Sequence, residues 1–213
     1  MPKMRTARRR NRMLITDVAP LDKKRRRVYI DYEYAFPLYI SELKKYGIKP
    51  DTELSEAVYS EIADILSKRV RERILYLIGD TDRTEKNIRE KLRNSGYIGE
   101  IADRAVESLK EYGYIDDARY ARMYAESMRD GKNKSVRAIE AALYAKGVPR
   151  DVISEVVDGL DFDEEEQIVK ALAKKGYTAE ALSEADGDTK RKLYGFLARK
   201  GFSHDAISNI IRK

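Results

Sequence analysis

The chain has 213 residues, 42% hydrophobic and 38% charged, with no cysteine, one histidine and a formal charge of +6. That apolar share can build one large or two small cores, the charged share suits helices with solvated faces better than a β-sandwich, and the lack of cysteine excludes disulfides, thiolate catalysis and cysteine-ligated metals. No run of about eighteen apolar residues exists and the basic N-terminus lacks the apolar stretch of a secretory signal, so no membrane partner and a cytoplasmic location are expected.

The positive charge is local. Residues 1–27 hold eleven Lys and Arg against Asp17 and Asp22, a net of +9, which leaves 32 bases against 35 acids beyond residue 27, a net of −3. Residues 1–27 are therefore expected to form a basic flexible arm. Its candidates for neutralising DNA phosphates are Arg8, Arg9, Arg10, Arg12, Lys23, Lys24, Arg25, Arg26 and Arg27. Each such contact releases counterions and makes affinity salt-dependent. A merely solubilising end is the alternative.

Val28 to Tyr39 (VYIDYEYAFPLY) alternates Val28, Ile30, Tyr32, Tyr34, Phe36 and Leu38 with their neighbours, which predicts a short β-hairpin or pair of strands, with Pro37 confined to an edge. Ser41 starts a one- to two-turn helix that Gly47 and Pro50 stop, closing a segment of residues 28–51. A long helix is then expected from near Thr52 to Gly79, leading into the first of three helical modules spanning 52–116, 117–163 and 164–213.

The modules are marked by glycine. Gly96, Gly147 and Gly201 are each preceded at eight and four residues by apolar pairs, Ile88 and Leu92, Ile139 and Leu143, Leu193 and Leu197. Each is followed by a bulky residue (Tyr97, Val148, Phe202), an acid at the fourth position (Glu100, Asp151, Asp205) and apolar residues at nine and ten. Residues four apart share a helix face, glycine closes a helix in the left-handed conformation, and an acid suits the positive start of the next helix. Recurrence at about fifty residues predicts stacked copies of one helix, glycine turn and helix unit. A further apolar-periodic segment before each, Arg69–Ile78, Asp117–Met128 and Glu166–Lys175, makes the unit a three-helix module. Asp82 with Glu85 has capping-box spacing for the second helix of module one, while Asn133 or Ser135 is the expected cap in module two and Asp188 or Thr189 in module three. In Gly176–Asp188, Ile168, Leu172, Gly176 and Tyr177 imitate the repeat at the wrong spacing, as a degenerate extra turn or a longer loop.

GYIDDARYA at Gly113–Ala121 and LYGFLARKGFSHDAISNII at Leu193–Ile211 are two strings that resemble the RecX family, the regulatory proteins that modulate the RecA recombinase. Gly131–Gly147 (GKNKSVRAIEAALYAKG) resembles the family's second-module helix with its lead-in, and VYIDYEYAF a hairpin of some members. The resemblance spans roughly residues 26–213 and implies tandem three-helix modules. The chain departs from it in placing Tyr32 where members commonly have a hairpin glycine, and in its basic first 27 residues, whose function rests on charge alone.

The expected fold is mainly α, with tandem three-helix repeat modules forming an elongated curved array after a short N-terminal β-hairpin and a basic arm. The residues argue against an enzyme. His204 has no second histidine or cysteine to complete a metal site or nucleophilic pair, and near Gly131-Lys132 a phosphate loop fails at Glu126 and Asn133. No catalytic residue, cofactor or metal is expected.

Bases gather on the second helices and acids on the third helices of the first two modules. Constant stacking would then give one basic and one acidic face. Lys86, Arg89, Arg93, Lys132, Lys134, Arg137, Lys192, Arg199 and Lys200 are the candidate contacts for a filament and its DNA. Tyr112, Tyr114, Tyr120 and Tyr124 cluster near a module junction, where packing is favoured over stacking on bases. Together with the resemblance, this implies a monomeric, mainly inhibitory regulator lodged in the groove of a RecA–DNA filament. Single-stranded DNA is the expected nucleic acid, with double-stranded DNA as a second candidate. A general DNA-binding protein is the rival reading.

Overall fold

A computed structural model describes residues 13–79 and 81–212 of the chain. The described residues are mainly helical with a small antiparallel sheet at the N-terminal end. They form two compact units: residues up to Thr81 with Ile88–Tyr114, and Asp82–Asn87 with the segment from Ile115 on.

The first unit opens with β1 (Met13–Pro20), β2 (Arg25–Ile30) and β3 (Glu33–Tyr39), joined by β4 (Thr52–Leu54) in the order β3-β2-β1-β4. This corrects two expectations. Residues 13–27 are not a flexible arm: β1 is an inner strand with Ile15 1% exposed, so the alternation in MLITDVAP outweighs the charge that follows it. Arg8, Arg9, Arg10 and Arg12 lie outside the described residues. Thr52–Leu54, expected as helix, pairs instead with Met13–Ile15, and Ser55 caps α2 (Glu56–Gly79) through the amide of Val58. The hairpin turn has only Asp31 and Tyr32 between its strands, both at positive φ, 51° and 68°. α1 (Ile40–Tyr46) ends at Gly47 as its sequence demands.

The α2 stripe of Ile62, Leu66, Val70, Ile74 and Leu77 is buried at helical spacing, and Phe36 of the sheet meets Tyr59 at 6.1 Å between ring centres. α3 (Glu85–Asn94) is divided between the units after Asn87, and α4 (Glu100–Glu111) packs on α2.

The second unit holds α5 (Asp117–Glu126), a π-turn over Ser127–Gly131, α6 (Val136–Ala145) and α7 (Arg150–Asp158). It continues with α8 (Glu164–Ala173), a short α9 (Ala179–Ser183), α10 (Gly187–Arg199) and α11 (His204–Arg212). Two separate cores form, one per module. Ala121, Ala125, Ile139, Leu143, Val148 and Val156 build one, and Ile168, Leu172, Leu193, Leu197, Phe202 and Ile207 the other.

All three repeat glycines have φ between 85° and 92° and end their helices alike. In each turn the glycine N–H donates three residues back, and the next N–H reaches five back, to Leu92, Leu143 or Leu197. This Schellman pairing satisfies the last carbonyls and folds Tyr97, Val148 and Phe202 onto the finished helix. Gly176 makes the same pairs at φ 85°. The off-register imitation is therefore a real helix stop, and the stretch after it is an extra short helix whose Leu182 is buried.

The caps differ in part. Ser135 caps α6, but Thr84 rather than Asp82 receives the Asn87 amide, and Asp186 rather than Asp188 or Thr189 caps α10. Asp and Thr at neighbouring positions both offer a side-chain oxygen acceptor, so backbone geometry makes the choice. Asn133 is buried at φ 45° and donates from Nδ2 to Gln167 Oε1 at 3.2 Å. Leu143 is 0% exposed, and Leu143→Ala is expected to cost about 3 kcal/mol in urea unfolding. A cost below about 0.5 kcal/mol, the scale of surface substitutions, would overturn the packing described for it.

Candidate functional site

The glycine turns also serve as sockets. A Cβ on Gly96 would stand 2.9 Å from Leu21 and 3.1 Å from the Tyr34 hydroxyl. Within that unit the hydroxyl donates to the Gly96 carbonyl at 2.5 Å and Arg25 donates to the Ser95 carbonyl at 2.8 Å. Burial pushes the Tyr34 hydroxyl up to about 12, so it remains a donor at neutral pH.

The second unit repeats the arrangement twice. Lys86 lays its stem across Gly147 while the Thr84 hydroxyl donates to the Lys146 carbonyl at 2.9 Å. At Gly201 a Cβ would come within 2.5 Å of Ser135 Oγ and 3.0 Å of Ala138 Cβ, and the Ser135 amide donates to the Lys200 carbonyl at 3.2 Å. The start of one second helix thus seats on the glycine turn that ends the next one.

That seating brings lysines together. Lys134 lies just before the Ser135 cap and Lys200 just before the Gly201 socket. Lys200 Nζ donates to the Lys132 carbonyl, and Lys174 Nζ donates to the carbonyls of Asp130 and Gly131 at 3.1 and 3.2 Å. Two ammonium groups thereby hold the end of the π-turn, where exposed carbonyls favour cations. The Lys200 ammonium is held below the ordinary lysine range, first by burial and then by the charges of Lys134 and Lys174. Such a concentration of like charge on a partly desolvated loop favours an anionic partner.

The other candidates fall elsewhere. Arg137 is exposed on the first turn of α6, which carries no acid, and Lys192 and Arg199 are exposed seven residues apart on one face of α10. Arg89 binds Asp103 at 2.5 Å and Glu107 at 2.8 Å. In module one a base of the second helix and two acids of the third therefore neutralise each other across adjacent helices. Arg93 is exposed beside a cleft of about 250 Å³ that Arg89, Tyr97, Ile98 and Asp103 also line.

Of the arm candidates, Lys23, Lys24 and Arg27 are exposed. Arg25 is spent on Asp22 and the Ser95 carbonyl, and Arg26 on the carbonyls of Asp22 and Arg25. Tyr120 and Tyr124 stack at 6.0 Å against the module-two core, as packing predicts, whereas Tyr112 and Tyr114 are exposed. Lys174 is a site residue that the repeat pattern alone missed. It caps the end of a first helix, α8, away from the second helices on which the repeat gathers its bases.

Among the described residues no helix is long and apolar enough to cross a membrane, and no group of three His, Cys, Asp or Glu is placed to hold a metal ion. The RecX second three-helix domain matches residues 116–157 and the RecX third three-helix domain residues 163–211. A regulatory protein RecX of Clostridium botulinum (strain Alaska E43) is 33% identical over 166 residues, covering 75% of this chain and 74% of the relative. One of Clostridium acetobutylicum is 33% identical over 181 residues, covering 81% and 82%. A crystal structure of a regulatory protein RecX superposes with a TM-score of 0.60 at 25% identity, covering 94% of this chain and 98% of that one.

Proposed function

The chain belongs to the RecX family of regulatory proteins, and from that premise we propose that it is a non-enzymatic, mainly inhibitory regulator of a RecA-type recombinase. It lodges in the groove of the recombinase–DNA filament and limits filament growth, ATPase and strand exchange. Through that action it would serve DNA repair and the SOS response in the cytoplasm, as a monomer. The observation that carries this reading is the convergence of the Lys134, Lys174 and Lys200 charges at the seat between the second and third modules, where the Lys132 backbone carbonyl accepts from Lys200. Arg137, Lys192 and Arg199 extend the positive surface along α6 and α10, and Lys86 adds a base at the preceding seat. Arg93 is a further candidate contact in the first unit, and Arg89 is withdrawn by its two carboxylates.

The test is RecA ATPase on single-stranded DNA, titrated with the full chain and with a chain lacking residues 1–12. The cut stops at 12 because a cut at 27 would remove β1 and half of β2. Residues 1–12 carry six bases and no acid, so their loss is expected to flatten the salt dependence of binding to naked DNA while inhibition of the ATPase is substantially retained. Inhibition that disappears with residues 1–12, in step with naked-DNA affinity, would favour a general DNA-binding protein instead.

A further inference from the structure

The turn between β2 and β3 holds a side chain that the fold does not use. Tyr32 sits at φ 68°, a left-handed conformation in which a bulky L-residue is strained, and the residue is 87% exposed. The backbone around it is held by three hydrogen bonds to β1. The Asp31 amide donates to the Leu14 carbonyl at 2.9 Å, the Leu14 amide to the Asp31 carboxylate at 3.3 Å, and the Tyr32 amide to the Thr16 hydroxyl at 3.0 Å. A rigid, strained turn thus presents an aromatic ring to solvent. Strain of this kind persists where surrounding structure enforces it, and it is a marker of contact sites.

The surrounding charge indicates the kind of partner. Among the described residues the bases of the sheet, Lys23 to Arg27, lie at the far end of β2, while Asp31 and Glu33 flank Tyr32 at the tip. Carboxylates on both sides repel phosphates and complement a basic protein surface. A tyrosine held in one place also loses little entropy on insertion into a pocket.

We propose that Tyr32, flanked by Asp31 and Glu33, is an anchor that inserts into an apolar pocket rimmed by Lys or Arg on a protein partner, the recombinase subunit of the filament. This rests on the regulator reading above and adds a protein contact at the hairpin tip, apart from the lysine seat.

The test compares wild type, Tyr32→Gly, Tyr32→Phe and Glu33→Lys in inhibition of RecA ATPase, in binding to naked single-stranded DNA and in thermal unfolding. Tyr32→Gly relieves the positive-φ strain, so its melting temperature is expected to match or exceed that of wild type. Its half-inhibitory concentration should nonetheless rise about tenfold, the loss of a modest anchor. Tyr32→Phe should stay near wild type, Glu33→Lys should weaken inhibition, and naked-DNA binding of Tyr32→Gly should be unchanged. Wild type that fails to inhibit overturns the regulator reading and this anchor with it. Wild-type inhibition that Tyr32→Gly fully retains overturns the anchor alone. Loss of naked-DNA binding in Tyr32→Gly, or stronger inhibition by Glu33→Lys, would show the tip facing nucleic acid and overturn it too.

Discussion

Gly201→Ala is expected to destabilise the chain by about 4 kcal/mol, whereas Gly176→Ala should cost only about 1 kcal/mol. The two glycines have nearly equal φ, 92° and 85°, and each ends its helix with the same pair of hydrogen bonds. The left-handed penalty of about 1–2 kcal/mol is therefore common to both. What differs is the space beside them. Nothing stands within 4 Å of a Cβ on Gly176, but on Gly201 it would strike Ser135 Oγ at 2.5 Å and Ala138 Cβ at 3.0 Å. Ser135 Oγ is the acceptor that caps α6 through the Ala138 amide, so moving it also forfeits a cap of about 1 kcal/mol. Urea unfolding of the two variants, followed by circular dichroism, checks the difference. Equal costs would mean that the Gly201 turn is a helix stop and no socket.

Reversing the charge of Lys132, Lys134 and Arg137 to Glu together should weaken inhibition of DNA-dependent RecA ATPase by at least about tenfold, which needs only about 1.4 kcal/mol shared among three sites. The fold should tolerate it. These side chains are exposed or half-exposed, and it is the backbone carbonyl of residue 132, kept by the substitution, that accepts from Lys200. The helical circular-dichroism signal is expected to be unchanged. If the three bases meet phosphates, the slope of log affinity against log salt should also fall by about 2 for single-stranded DNA. Replacing the Lys134 charge removes one of the two lysines that depress Lys200, so the Lys200 ammonium should titrate closer to the ordinary lysine range. Inhibition that persists in the triple variant would remove these residues from the binding surface.

Much of the fold was legible because its strongest signals are local. Ile139, Leu143 and Gly147 lie within three turns of chain, and the spacing of four, the left-handed cap and the returning Val148 concern one helix and its end. The same holds for Gly176, whose cap was visible as an imitation of the repeat although its meaning was not. The sheet was read only in part. The charge of residues 23–27 masks the alternation of Met13 to Pro20, and nothing near Thr52 in sequence announces that it will pair with Ile15, thirty-seven residues earlier.

The candidate site divides in the same way. Lys132, Lys134 and Lys200 could be picked out as bases on second helices, but their meeting, and the inclusion of Lys174, depend on where the Ser135 turn seats. Arg89 and Arg25 looked like exposed cations until folding set them beside Asp103 and Glu107, and beside Asp22 and the Ser95 carbonyl.

The sequence by itself determined the helical modules, their buried stripes and the glycines that stop them, since interactions between residues three to five apart need no knowledge of the rest of the chain. Only the tertiary structure decided what fills the space above each glycine and which charges stand together. Contacts such as Tyr34 with Gly96, Thr84 with Lys146, Lys132 with Lys200 and Arg25 with Ser95 join residues 62 to 70 positions apart, and no local periodicity encodes them.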